Sequence, residues 1–169
     1  MEKTVSLQQT LGTAARSEYL RRYLENLALL ERLHRLMLDL IKDEFERLGV
    51  VNVNPVQALL LFNIGENEVT AGELKSRGYY QGSNVSYNLK KLVEQGYMHH
   101  QRCPVDRRAV RVRLTPRGIA VRDRVGALFE RHAGELQAEG MIDFDALDGI
   151  ARSLRRIERF WGEQIRYIY

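Results

Sequence analysis

At 169 residues, with 44% hydrophobic and 28% charged side chains, the chain has the composition of a folded domain rather than a disordered segment. No apolar run approaches the roughly 18 residues of a membrane-spanning helix, and the start, MEKTVSLQQTLGTAARSEYL, lacks the basic and apolar regions of a secretory signal. The single cysteine, Cys103, excludes an internal disulfide, so a cytoplasmic protein is expected; the net charge of +4 informs mainly through its distribution.

In chain order, residues 17–48 place Leu20, Leu24, Leu27, Leu30, His34, Met37, Ile41, Phe45 and Leu48 at spacings of three and four. That spacing predicts one long amphipathic helix, with Gly49 available for a left-handed cap. A second helix opens at NPVQALLLFNI, where Asn54 is an N-cap and Pro55 occupies the first turn, which needs no N–H. A third opens at TAGELKSRG, with Thr70 and Glu73 at capping-box spacing and Gly78 as the stop. The fourth, in GSNVSYNLKKLVEQGYM, sets Val85, Leu89 and Leu92 on one stripe and leaves Ser83, Asn84, Ser86, Tyr87 and Lys90 outside it.

After Gly96 the period changes to two. YMHHQRC and AVRVRLT read as strands, Val110, Val112 and Leu114 alternating with Arg111 and Arg113, and PVDRR as the hairpin loop between them. Thr115 and Pro116 repeat the cap-plus-proline signal and start a fifth helix running to about Ala138. Asp143 caps a sixth, whose apolar residues are Leu147, Ile150, Leu154, Ile157, Trp161, Ile165 and Ile168. The fold class is mainly α with a small β-hairpin wing. Residues 54–115 form a winged helix-turn-helix region, and 17–48 with 116–169 form a helical dimerisation region. The terminal stripes are longer than a small winged core can cover, and pairing them across a two-fold axis also explains why one short reading helix suffices.

The charge is unevenly placed. From Lys75 to Arg117 ten Lys and Arg face two acids, Glu94 and Asp106, so this quarter of the chain is cationic and the remainder is net acidic. Such clustering is the electrostatic footprint of a polyanion partner. The fourth helix agrees, because a helix that merely covers a core needs no particular outer face. Short groups that donate and accept can read base edges in the major groove, whereas Lys90, Lys91, Arg102, Arg111 and Arg113 suit phosphates.

Other residues carry less. His99 and His100 are adjacent on a strand and point to opposite faces, which opposes a metal site. His34 lies on an apolar stripe and reads as an interface histidine, and His132 is uninformative. Tyr79 and Tyr80 could cover a turn, line a cavity or touch a DNA backbone. No nucleophile–base pair, metal-ligand spacing or phosphate-cradling glycine loop points to an enzyme or a cofactor. The competing reading is a winged-helix protein-interaction module without specific DNA binding, which has no use for ten clustered cations.

The stretch TAGELKSRGYYQGSNVSYNLKKLVEQGYMHHQRCPVDRRAVRVRLTPRG, between long helices, resembles the MarR family of winged helix-turn-helix transcription regulators. The likeness covers residues 20–165 and is most specific in VSYNLKKLVEQGYM and DRRAVRVRLTPRG. It implies a homodimer on a pseudo-palindromic operator in double-stranded DNA, with the fourth helix in the major groove and the wing in the minor groove. It also implies that Ser83, Asn84, Ser86 and Tyr87 contact bases and phosphates, that Asp106 holds the wing loop and that Arg108 enters the minor groove, with Arg107 beside it a further DNA-binding candidate. A small apolar or aromatic effector is expected between the first and second helices, around Met37, Ile41 and Phe62. Two departures stand out: GYYQG puts two tyrosines at the helix-turn-helix turn, and Asn88 sits at the edge of the fourth helix's core-facing side; Cys103 lies beside the wing, whereas redox-sensing members carry their cysteine in the first helix.

Overall fold

The computed structural model describes residues 2–65, 69–70, 82–102 and 110–168, and the side chains of residues 15–65, 69, 87–99, 101 and 111–165. Helix α1 spans Glu2–Arg47, 46 residues and about 69 Å at 1.5 Å per residue. It begins fifteen residues before the expected start at 17, which corrects that boundary. The stretch has no proline and a single glycine, Gly12, but Thr4, Val5, Thr10 and Thr13 are also weak helix formers, and no long apolar stripe marks it in the sequence. At the far end the backbone turns at Gly49, φ +67°, and the amide of Val50 reaches the carbonyl of Phe45 at 2.8 Å, closing the helix as anticipated.

Helix α2 spans Pro55–Ile64, and its cap is fuller than the sequence suggested. The Asn54 side chain accepts from the Gln57 amide at 2.9 Å, and Gln57 Oε1 accepts from the Asn54 amide at 3.2 Å, a reciprocal capping box. Ala58, Leu59, Leu60, Leu61 and Ile64 are all buried, so α2 is the central helix of its unit. Ile41 and Phe45 of α1 join them, and α1 packs on α2.

Strand β1 is only Val69–Thr70. Thr70, expected to cap the third helix, ends this strand; that helix itself lies outside the described residues. Helix α3 is Gly82–Glu94, followed by β2 (Met98–Arg102) and β3 (Val110–Leu114). The three strands form one antiparallel sheet in the order β1-β3-β2, one strand more than the expected hairpin. A two-residue strand has no period for a sequence to display. The register pairs Met98 with Leu114, His99 with Arg113 and Gln101 with Arg111, while Val69 meets Val112. Val69, Met98, Val112 and Leu114 are buried; His99, Gln101, Arg111 and Arg113 form the exposed face.

Helix α4 covers Pro116–Ala138 and α5 Phe144–Ile168, both at the expected starts. Asp143 Oδ1 accepts from the Ala146 amide at 2.7 Å, fulfilling its predicted capping role. The chain divides into two compact units, Met1–Val125 and Gly126–Tyr169. The first holds the sheet and the cores of α2 and α3; the second holds the end of α4 and α5.

Candidate nucleic-acid interface

The candidate interface is built from α3 and the arginines on the exposed face of the sheet. On α3, Leu89 and Leu92 are buried while Tyr87 is 62% exposed and the Lys90 side chain 77% exposed, so the inner and outer stripes separate as the sequence predicts. Asn88, on the edge of the inner stripe, is buried, and among the described residues no buried side-chain nitrogen or oxygen lacks a partner. With Leu38, Asp39, Asn54, Pro55, Val56 and Tyr87 it lines a cleft of about 430 Å³ between α1, α2 and α3. Lys91 is half-exposed. Ser83, Asn84 and Ser86 lie in the first turns of α3 and Arg102 ends β2, but their side chains are outside the described set. Asp106, Arg107 and Arg108 lie outside the described residues altogether.

The two lysines are only loosely engaged. Lys91 Nζ lies 3.3 Å and Lys90 Nζ 3.9 Å from Glu94, ion pairs on an open helix surface worth a few tenths of a kcal/mol. A phosphate can displace such partners at little cost. On the sheet, Arg111 and Arg113 alternate with buried Val112 and Leu114, and both are exposed.

The end of α3 is fastened to the start of α4. Gly96, φ +75°, caps α3, with its amide on the carbonyl of Val93 (3.0 Å) and the Tyr97 amide on that of Leu92 (2.8 Å). Thr115 Oγ1 donates to the Gly96 carbonyl at 2.8 Å and accepts from the Gly118 amide at 3.2 Å, so one hydroxyl both caps α4 and holds the turn. Arg117 Nη1 donates to the Gln95 carbonyl at 2.9 Å, and its guanidinium lies 4.3 Å from the centre of the buried Tyr97 ring. The sequence signalled the cap of α4 through Thr115 and Pro116 but not this second use of Thr115. Nor did it single out Arg117.

Of the residues named for an effector, Ile41 is fully buried core, while Met37 and Phe62 are half-buried. His34 is exposed on α1, and among the described residues no cluster of three or more His, Cys, Asp or Glu could hold a metal. A further feature escaped the sequence reading. Leu29, Leu33, Leu36 and Leu40, at spacings of four, three and four, form a second stripe along α1, and all are exposed in the single chain.

Residues 53–118 match the family model of a winged helix DNA-binding domain. The chain is 36% identical over 147 residues to the exopolysaccharide II synthesis transcriptional activator ExpG of Rhizobium meliloti (strain 1021), covering 86% of this chain and 74% of that protein. Among solved structures it is similar to a MarR transcriptional regulator from Methanosarcina mazei Go1, with TM-score 0.60, 24% identity, and 80% of this chain and 94% of that one covered. The transcriptional regulator SlyA superposes with TM-score 0.68 at 18% identity, covering 85% and 98%. A MarR variant from E. coli complexed with operator DNA gives 0.59 at 19%, covering 76% and 90%.

Proposed function

The chain belongs to the MarR-type winged helix transcription regulators, and from that premise we propose that it is a homodimer that reads a pseudo-palindromic operator through α3. That it is a DNA-binding transcriptional regulator follows from the family. The observation that carries the finer reading is the sorting of α3, whose Leu89 and Leu92 are sunk in the core while Tyr87, Lys90 and Lys91 face out. In this reading Ser83, Asn84, Ser86 and Tyr87 meet base edges and nearby phosphates. Lys90, Lys91 and Arg102 neutralise backbone charge, Asp106 shapes the wing loop, and Arg107 and Arg108 reach the minor groove. The protein is a cytoplasmic regulator and not an enzyme.

Two copies are supported by the apolar surface of the single chain. Leu33 is 60% exposed on α1, and Phe144 and Ile165 are 75% and 60% exposed on α5. Helices with such continuous exposed stripes pack against partners, and a two-fold pair presents two reading helices to two half-sites. For an effector, the reading keeps the neighbourhood of Met37, Ile41 and Phe62 and adds the cleft beside Asp39, Tyr87 and Asn88, which adjoins the reading helix directly. A small molecule there would act only through its different affinity for the DNA-bound and free arrangements. Likeness to an activator favours operator binding that raises transcription.

Selection of bound duplex from a random library tests the proposal. A two-fold symmetric consensus with half-sites about one helical turn apart, 10–10.5 bp, is expected. Recovery of an asymmetric single site, or of no consensus at all, overturns it.

A further inference from the structure

A second cationic site lies where β2 and β3 meet the start of α4. The register sets His99 of β2 directly opposite Arg113 of β3, both on the exposed face of the sheet. Side chains opposite one another on an antiparallel pair have Cβ atoms about 5 Å apart, so the imidazole and the guanidinium share one patch. Arg122, on the second turn of α4, lines the same cavity of about 350 Å³, with Pro116 and Ile119 as its apolar wall. The Arg122 side chain is only 16% exposed, and Asp123 Oδ1 accepts from its Nε at 2.9 Å and its Nη2 at 2.7 Å. Its guanidinium is therefore fixed in place rather than free to swing into solvent.

The geometry points to a binding site for a small phosphate monoester with an apolar body. Three donor groups arrive from three different elements, and a phosphate monoester offers three terminal oxygens where a carboxylate offers two. Arg113 and Arg122 supply guanidinium groups, the second positioned by Asp123, whose carboxylate offsets its charge, and His99 supplies an imidazole N–H. The apolar wall of Pro116 and Ile119 gives the remainder of the ligand a surface to cover, and the volume suits a single-ring compound. A DNA phosphate is a poorer occupant. His99 and Arg113 sit at the end of the hairpin next to α4, and in sequence three residues of β3 separate Arg113 from residues 103–109. Occupancy would tie the base of the wing to α4. The site does not depend on how α3 reads DNA.

The test is calorimetric titration of the full-length protein with phenyl phosphate at low salt, beside benzoate and inorganic sulfate. Saturable binding of phenyl phosphate at one site per chain is expected, at least tenfold tighter than of the other two anions. Arg122→Gln and His99→Leu should each weaken it at least tenfold while random-duplex binding stays within twofold. If Arg122→Gln fails to fold, as read from its melting curve, the exposed His99→Leu decides the matter alone. No saturable binding, or binding indifferent to the variants that fold, overturns the site. Equal binding of benzoate overturns the phosphate assignment. Displacement of phenyl phosphate by duplex, with weakened duplex binding in the variants, makes this a DNA contact and overturns the proposal. Failure here with the salt-dependent duplex binding intact leaves the regulator reading untouched.

Discussion

Thr115 shows how much one hydroxyl can carry. It is buried, donates to the Gly96 carbonyl and accepts from the Gly118 amide. Thr115→Val keeps the shape and removes both bonds, leaving a carbonyl and an amide in a buried place, so thermal or urea melts should show a loss of about 1–3 kcal/mol. A serine at this site should recover most of it. Three residues on, Gly118 is needed for a different reason. A Cβ there would collide with the Tyr97 carbonyl, the group that also accepts from the Thr115 amide at 3.0 Å. Backbone cannot yield as a flexible side chain can, so Gly118→Ala should cost about 1–3 kcal/mol in the same melts. Lys90 belongs to function rather than stability. With its side chain 77% exposed and Glu94 3.9 Å away, Lys90→Ala should leave the melt within about 0.5 kcal/mol. It should weaken specific and random duplexes alike and reduce the slope of log K against log salt by about 0.9, as loss of one phosphate contact requires. An unchanged slope would remove Lys90 from the interface.

At the scale of elements, the helices announce themselves and their joints do not. The caps at Asn54, Thr115 and Asp143 and the stop at Gly49 were readable because capping is local chemistry, decided within four residues. The alternation of Arg111 and Arg113 with Val112 and Leu114 was readable for the same reason. The start of α1 was not, since residues 2–16 carry no long apolar stripe and include the weak helix formers Thr4, Val5, Thr10, Gly12 and Thr13. Strand β1 was invisible because its two residues are held by pairing with β3, a contact some forty residues away. The reading face of α3 was legible as a stripe, yet the tie that orients it, from Thr115 and Arg117 to Gly96 and Gln95, spans about twenty residues and follows no period. Gly96 is the hinge of that tie. Nothing lies within 4 Å of a Cβ added there, so Gly96→Ala suffers only from its φ of +75°, at about 1–2 kcal/mol. Because the turn sets the angle between α3 and the sheet, operator affinity should fall more than affinity for random DNA. Equal losses for both would mean that the turn supports stability alone.

For the whole molecule, the question is what covers the apolar surface that one chain leaves open. Ile41 and Phe45 anchor the end of α1 in the first unit, but further along the helix Leu20, Leu24, Leu29, Leu33, Leu36 and Leu40 all remain exposed. Leu147, Ile150, Leu154, Trp161 and Ile165 do the same on α5. Covering a single such leucine contributes about 1.5–3 kcal/mol, so a second chain that covers several on each copy can offset the entropy of association. Leu33→Glu tests this with little risk to the fold of the single chain, because the position is already 60% exposed there and a surface change costs about 0.5 kcal/mol or less. Within a dimer the same substitution buries a charge on each copy opposite an apolar surface, which is expensive. Light scattering should therefore find wild-type protein as a dimer at micromolar concentration and Leu33→Glu as a monomer with an unchanged helical spectrum. Random-duplex binding per chain should persist, since each reading head keeps its cations, while the advantage of a two-half-site operator over a single half-site should vanish. A wild-type monomer, or a Leu33→Glu dimer with full operator preference, would place the two-fold contact elsewhere or remove it.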